Sequence, residues 1–185
     1  MTLPPLLILT DRSQLPVGRT LTHTIAACVA AGATHVVLRE LDLPIGRRAA
    51  LAASLARSGA SVIAAHTPVP GAIGVHLPAR APAVQSRFGR SCHSAAALAA
   101  AAAEGAEYAT LSPFSSTPSK PGYGPPLPPE AFASAPLPVY ALGGVTVANA
   151  GAALTAGAFG LAAMGAIMRA TDPGAVVSAL LRITA

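Results

Sequence analysis

Val139-Tyr140-Ala141-Leu142-Gly143-Gly144-Val145, followed after a helical segment by Ala158-Phe159-Gly160-Leu161-Ala162-Ala163-Met164-Gly165-Ala166-Ile167, is the stretch on which the reading of this chain turns. Each half is a short apolar run that ends abruptly in glycine. A glycine pair after one strand, with small residues opening a helix after the next, exposes backbone N–H groups where an anion can bind them. The plainer reading is that Gly143 and Gly144 only turn the chain, since paired glycines are common punctuation. Their place within the last two strand–helix units favours the phosphate cradle.

Working outward, apolar runs alternate with longer Ala-rich segments, the pattern of parallel strands buried on both faces and covered by helices. Strands are expected at Leu6–Leu9, His35–Leu38, Ser61–Ala65, Ile73–Leu77, Phe88–Ser91, Ala109–Leu111, Val139–Leu142 and Gly160–Ala163. Helices are expected at Leu21–Ala31, Arg47–Arg57, Ala95–Ala103, Val147–Ala156 and Gly174–Leu181. Most are dominated by alanine, and Gly32, Gly59, Gly105 and Gly157 supply stops. The alternation predicts an α/β fold, a compact (β/α)8 TIM barrel forming a single domain over residues 1–185. The usual barrel is larger, about 200–250 residues. The shortening is placed in a trimmed third βα unit, where His66-Thr67-Pro68-Val69-Pro70-Gly71-Ala72 leaves no room for a helix of two turns. An open three-layer sheet of flavodoxin or Rossmann type is the alternative. Residues 118–136, rich in proline, read as a long functional loop leading into a short helix.

Composition narrows the function classes. With 52% hydrophobic residues the chain can bury one sizeable core. The net charge of +5 comes from only 12 Lys and Arg against 7 acids, scattered along the sequence, which argues against a nucleic-acid surface. Aromatics at 4% offer few stacking platforms. Cys28 and Cys92 fit neither a disulfide framework nor a zinc site and read as buried thiols. No apolar run reaches the membrane-spanning length of about 18 residues, and a cytoplasmic location is expected. Self-association is left open.

In a barrel of this kind the working residues follow the strands. Those positions hold Arg39 and Glu40, His66 and Thr67, Ser91 and His93, Ser112 to Lys120, Gly143 and Gly144, and Met164 to Ala166. Arg39 must find either a ligand anion or a carboxylate such as Glu40 or Asp42. His66 is either an imidazole poised over the pocket or a loop residue capping the shortened connection. His93 is either catalytic or an orienting group at its loop, and His76 is expected to pack in the barrel interior. His23 and His35 are read as structural. Lys120, the only lysine, is either a phosphate-closing group or a solvated loop charge.

Six segments in order resemble thiamine phosphate synthase and its TenI relatives. They are Leu6-Leu7-Ile8-Leu9-Thr10-Asp11, Val36-Val37-Leu38-Arg39-Glu40, Gly74-Val75-His76-Leu77-Pro78, Gly89-Arg90-Ser91-Cys92-His93-Ser94, Ser112-Pro113-Phe114-Ser115-Ser116-Thr117-Pro118-Ser119-Lys120 and the Gly143-Gly144 motif. The resemblance implies a phosphorylated thiazole as ligand. In the synthase this is joined to a pyrimidine diphosphate with Mg²⁺. The synthase pattern Gln-x-Arg-x-Lys reads Val37-Leu38-Arg39-Glu40-Leu41 here, and its Asn-Asp pair falls around Ala65-His66. Its Gly-Gln-x-x-Asp is replaced around Pro78-Ala79-Arg80. Leu77-Pro78 and the segment around His93 are more similar to the TenI branch, which isomerises a thiazole phosphate carboxylate without metal. The TenI histidine aligns with Pro113. The expectation is therefore a TenI-like isomerase with no cofactor and no metal, Mg²⁺ entering only in the synthase reading. Its catalytic candidates are His66 and His93. Its phosphate-binding candidates are Arg39, Ser112, Thr117, Lys120, Gly143, Gly144, Gly165 and Ala166. The alternatives are an authentic synthase and a non-catalytic phosphate-binding member.

Overall fold

The computed structural model describes residues 3–117, 124–133 and 135–185. Strands β1 (Leu6–Leu9), β2 (His35–Leu38), β3 (Ser61–Ala65), β4 (Gly74–Leu77), β5 (Phe88–Cys92), β6 (Tyr108–Leu111), β7 (Val139–Leu142) and β8 (Gly160–Ala163) form a closed parallel barrel in chain order. Closure is made by β1 against β8, where Ile8 lies opposite Ala163, while on its other side Ile8 faces Val36 of β2. That pairing excludes the open sheet.

Strand periodicity sorts the side chains into two cores. Leu7, Leu9, Val37, Ile63, Ala65, Tyr108, Tyr140 and Ala162 fill the barrel interior. Their neighbours Leu6, Ile8, Val36 and Leu38 face outward into the larger core beneath the helices. Gly89 is needed inside because a Cβ there would meet the Tyr108 ring.

The covering helices are α1 (Leu21–Ala30), α2 (Ile45–Arg57), α3 (Ala95–Ala103), α4 (Glu130–Ala133), α5 (Ala150–Thr155), α6 (Gly165–Met168) and α7 (Pro173–Ile183). Side-chain caps start three of them: Thr20 accepts from the His23 N–H, Ser94 from Ala97 and Asp172 from Ala175. A short 3₁₀ turn at Arg12–Gln14 precedes α1.

One helix start needs correction. The helix after β7 begins at Ala150 rather than Val147. Asn149 accepts from the Thr146 N–H and donates to the Gly144 carbonyl, so its side chain closes the intervening residues into turns. The connection between β3 and β4 lacks a helix as expected, and so does the one between β4 and β5. Val69, Ala81 and Val84 from these loops pack on the outer core where helices would otherwise lie. Cys28 and Cys92 are buried and unpaired, and burial pushes their thiols up to about 12 and about 11. No helix among the described residues is long and apolar enough to cross a membrane.

Candidate functional site

At the C-terminal ends of the strands lies a cavity of about 500 Å³, within the range of small-molecule sites. Its wall brings together Arg39, His66, His93, Ser112, Thr117, Gly143, Gly144, Gly165 and Ala166. Lys120, the remaining candidate, lies outside the described residues.

Arg39 emerges from β2 half-buried and facing this cavity. The carboxylates weighed as its alternative partners are held by another residue. Arg12 donates to Glu40 at 2.9 Å and to Asp42 at 2.8 Å, and Glu40 is almost fully buried in that pair. Among the described residues no carboxylate forms an ion pair with Arg39. Its guanidinium meets the Met164 sulfur at 2.8 Å, and its backbone N–H donates to Thr10. Burial alone would raise the Asp11 carboxyl. Hydrogen bonds from Ser13 and Gln14, with the nearby Arg39 charge, outweigh it and bring Asp11 below its ordinary value. A guanidinium held in this way leaves its charge to a ligand anion.

His66 closes β3 with φ at 66°, the one non-glycine residue in the left-handed region among those described. Its N–H donates to the His76 carbonyl at 2.9 Å. Residues forced into that region are uncommon and concentrate at working sites. Partial burial lowers the His66 imidazole pKa, and the charges of Arg39 and Arg48 lower it further. The ring is therefore neutral near pH 7, the state in which it can accept a proton.

His93 lines the cavity and is also held to the neighbouring strand end. Its Nδ1 lies 2.9 Å from the Ser112 carbonyl and 3.1 Å from the Ser112 hydroxyl. A carbonyl only accepts, so Nδ1 carries the hydrogen of this bond. The ring thereby ties the end of β5 to the end of β6.

On the opposite wall, Gly143 and Gly144 have φ of 91° and 67°. A Cβ on Gly144 would collide with the Ser115 and Ser116 carbonyls. The glycines thus turn the chain and also let the loop after β6 lie against it, while both line the cavity.

Two further cavity residues were foreseen only as a strand-end position, Ser91, and an interior side chain, His76, while Arg169 escaped the sequence reading. His76 sits on the floor, fully enclosed, with Nδ1 3.2 Å from the Tyr108 hydroxyl and Nε2 2.9 Å from the Ser91 hydroxyl. Burial drives its pKa down to about 3, helped by His66, Arg39 and Arg90. Ser91 carries this hydrogen-bond chain to the cavity surface. Arg169 lines the rim, bonded to Gln14, with its guanidinium over Gly165. The four-residue spacing of Gly165 and Arg169, which puts both on one helix face, was the available signal.

The cavity wall holds no carboxylate among the described residues, and no cluster of three potential metal-ligating side chains occurs among them. The donor set therefore does not fit Mg²⁺, which prefers carboxylate oxygen. A more open groove of about 690 Å³ beside the 3₁₀ turn does contain Asp11, Glu40 and Asp42, but the last two are already committed to Arg12.

Comparison with known proteins agrees with the fold and the sequence segments. The family model described as thiamine monophosphate synthase, TMP-TENI, matches residues 6–167. A thiamine-phosphate synthase of Methanoculleus marisnigri is 37% identical over 199 residues, covering 95% of this chain and 92% of the relative. One from Albidiferax ferrireducens is 35% identical, covering 84% of this chain and 81% of that protein. A solved thiamine phosphate pyrophosphorylase from Pyrococcus furiosus superposes with a TM-score of 0.83 at 23% identity, over 97% of this chain and 94% of that one, a likeness of fold. The relatives bear the synthase name, and the lean towards the TenI branch finds no support in them.

Proposed function

The chain belongs to the thiamine monophosphate synthase family, and from that premise we propose that its cleft binds a thiazole phosphate in thiamine biosynthesis as a transferase of the synthase type. The observation that carries the binding reading is Arg39, a half-buried cation facing the cavity without an ion-paired carboxylate among the described residues. The transfer reading is supported by the names of the relatives.

In this reading Arg39 offsets phosphate charge, and Arg169 adds a second cation at the rim over Gly165. Pro113 to Ser116, just after β6, lie against Gly143 and Gly144 and fix that side of the cleft. Ser91 and Ser112 orient polar edges of the ligand, the first backed by His76. No step is derived through Mg²⁺, whose ligands this wall does not supply.

A second reading, isomerisation of a thiazole phosphate carboxylate, is favoured by one feature. Neutral His66 lies on the same cavity wall as His93, Ser112 and Arg39. Relocating a ring proton requires such a base and an anion anchor. Incubation with thiazole phosphate and pyrimidine diphosphate, with and without Mg²⁺, followed by NMR, tests the transfer. Formation of thiamine phosphate is expected. Conversion of the thiazole phosphate carboxylate without any such transfer would replace the first reading by the second, and binding without turnover would leave a non-catalytic carrier.

A further inference from the structure

Behind the cleft wall, a buried guanidinium holds the two strand ends that carry Arg39 and His66. Arg48, in the first turns of α2, is 4% exposed and does not line the cavity. Its Nη2 donates to the Leu38 carbonyl at 3.3 Å and the Ala65 carbonyl at 2.6 Å, and its Nη1 to the Thr67 hydroxyl at 3.0 Å. Leu38 immediately precedes Arg39, and Ala65 and Thr67 flank His66. Every one of these bonds therefore ends one residue from a cleft group.

The arrangement is costly. The Arg48 Nε–H is buried without a partner, and no carboxylate ion-pairs with this guanidinium among the described residues. Burial accordingly lowers its pKa. Arg90 makes a useful contrast. It also braces a loop, donating to the Pro78 and Ala81 carbonyls, but it has Glu104 at 2.5 Å to compensate its charge. The Glu40 charge offsets only part of that burial, and an apolar side chain would anchor α2 to the barrel at less cost than a cation without an ion pair.

We propose that Arg48 is a positioning residue that ties the ends of β2 and β3 together, holding His66 in its left-handed conformation and aiming Arg39 into the cleft. This rests on the reading of Arg39 and His66 as ligand-facing groups. The groups that act electrostatically on His66 are Arg39 after β2 and Arg48 from α2, with buried His76 from β4 coupled to it. Arg48 therefore also adds to the positive field that keeps the imidazole neutral.

The test uses Arg48→Lys, Arg48→Met and Thr67→Val, with NMR on His66 and calorimetric titration of inorganic phosphate. The His66 HN–Hα coupling reports φ directly and needs no ligand. It should change in all three variants. Phosphate affinity should fall about tenfold in Arg48→Met and two- to threefold in Thr67→Val, as bonds of this kind are lost. Arg48→Lys should recover part of that affinity, because an ammonium retains the charge but cannot span three acceptors in a plane. The imidazole pKa should rise in Arg48→Met and stay low in Arg48→Lys. Should Arg48→Met fail to fold, the milder two carry the test. An unchanged His66 coupling in folded Arg48→Lys and Thr67→Val overturns the proposal. Absence of phosphate binding in the unaltered protein, with the coupling still responsive, would instead remove the functional reading and leave the strap intact.

Discussion

On the β7–β8 side of the cleft, Gly143 and Gly144 and the small residues Gly165 and Ala166 bring backbone to the wall, beside the side chains of Met164 and Arg169. On the β2–β3 side the wall is made of long polar side chains, Arg39 and His66, held from behind by Arg48. The two walls respond to different physics. A backbone wall is fixed by sterics and tolerates no added atom, whereas a side-chain wall depends on charge and on what braces it. The departures from the synthase pattern, around Arg39, His66 and Pro78, lie on the second wall or beside it, and the glycine motif that first pointed to a phosphate lies on the first.

The largest effect should come from breaking the backbone wall. Gly144→Ala places a Cβ against the Ser115 and Ser116 carbonyls at a φ of 67° and should cost about 2–4 kcal/mol in denaturant unfolding. Equal stability of that variant would mean the loop after β6 is free to move away. The floor between the walls should respond to acid. His76 has its pKa lowered to about 3 in the folded protein, while the unfolded chain takes up the proton near 6.5. Above that value both states are neutral and there is no effect. Below it the unfolded state binds the proton first, so stability should fall by about 1.4 kcal/mol per pH unit down to the folded pKa. His76→Gln should flatten this slope in urea titrations at stepped pH.

The side-chain wall should separate binding from stability. Arg39→Met should weaken thiazole phosphate binding about tenfold or more by calorimetry, while unfolding free energy stays within about 0.5 kcal/mol, because no ion pair is lost. A clear loss of stability would assign Arg39 to the scaffold. The smallest change is His66→Gly, which relieves the left-handed strain and should stabilise by about 1 kcal/mol while reducing turnover. A destabilised His66→Gly with full activity would make the histidine a capping residue of its loop.

The barrel was legible because buried parallel strands leave short apolar runs and their helices end in glycine. Five strand ranges, such as Ser61–Ala65 and Val139–Leu142, match the structure residue for residue, and the other three, such as Phe88–Cys92, differ from it by one residue at one end. The start of α5 was not legible, since Val147 and Ala148 fit a helix and only the Asn149 side chain overrides them. The helix list left the stretch between β4 and β5 empty, as the structure does, and Pro78 and Pro82 are the local reason. For the site, the rule that function follows the strands gathered one cavity wall correctly. It could not show that Arg12 would take Glu40 and Asp42, since that choice depends on a turn 28 residues earlier meeting the end of β2. Nor could periodicity reveal Arg48, a charge inside an ordinary helical pattern whose partners are carbonyls of other strands.

The paired helix-free connections on either side of β4 have a dynamic consequence. Elsewhere a strand cannot detach without undocking a helix, so local opening is coupled to the whole barrel. Around β4 the cover contributed by the two connections is Val69, Ala72, Ala81 and Val84 on loops. Native-state fluctuations should therefore begin in this quadrant, with amide hydrogens of β4 exchanging before those of β1 or β8. The barrel would then open first beside His66 and His76, so the side-chain wall belongs to the part of the molecule most able to breathe, while the glycine wall stays with the part that unfolds last.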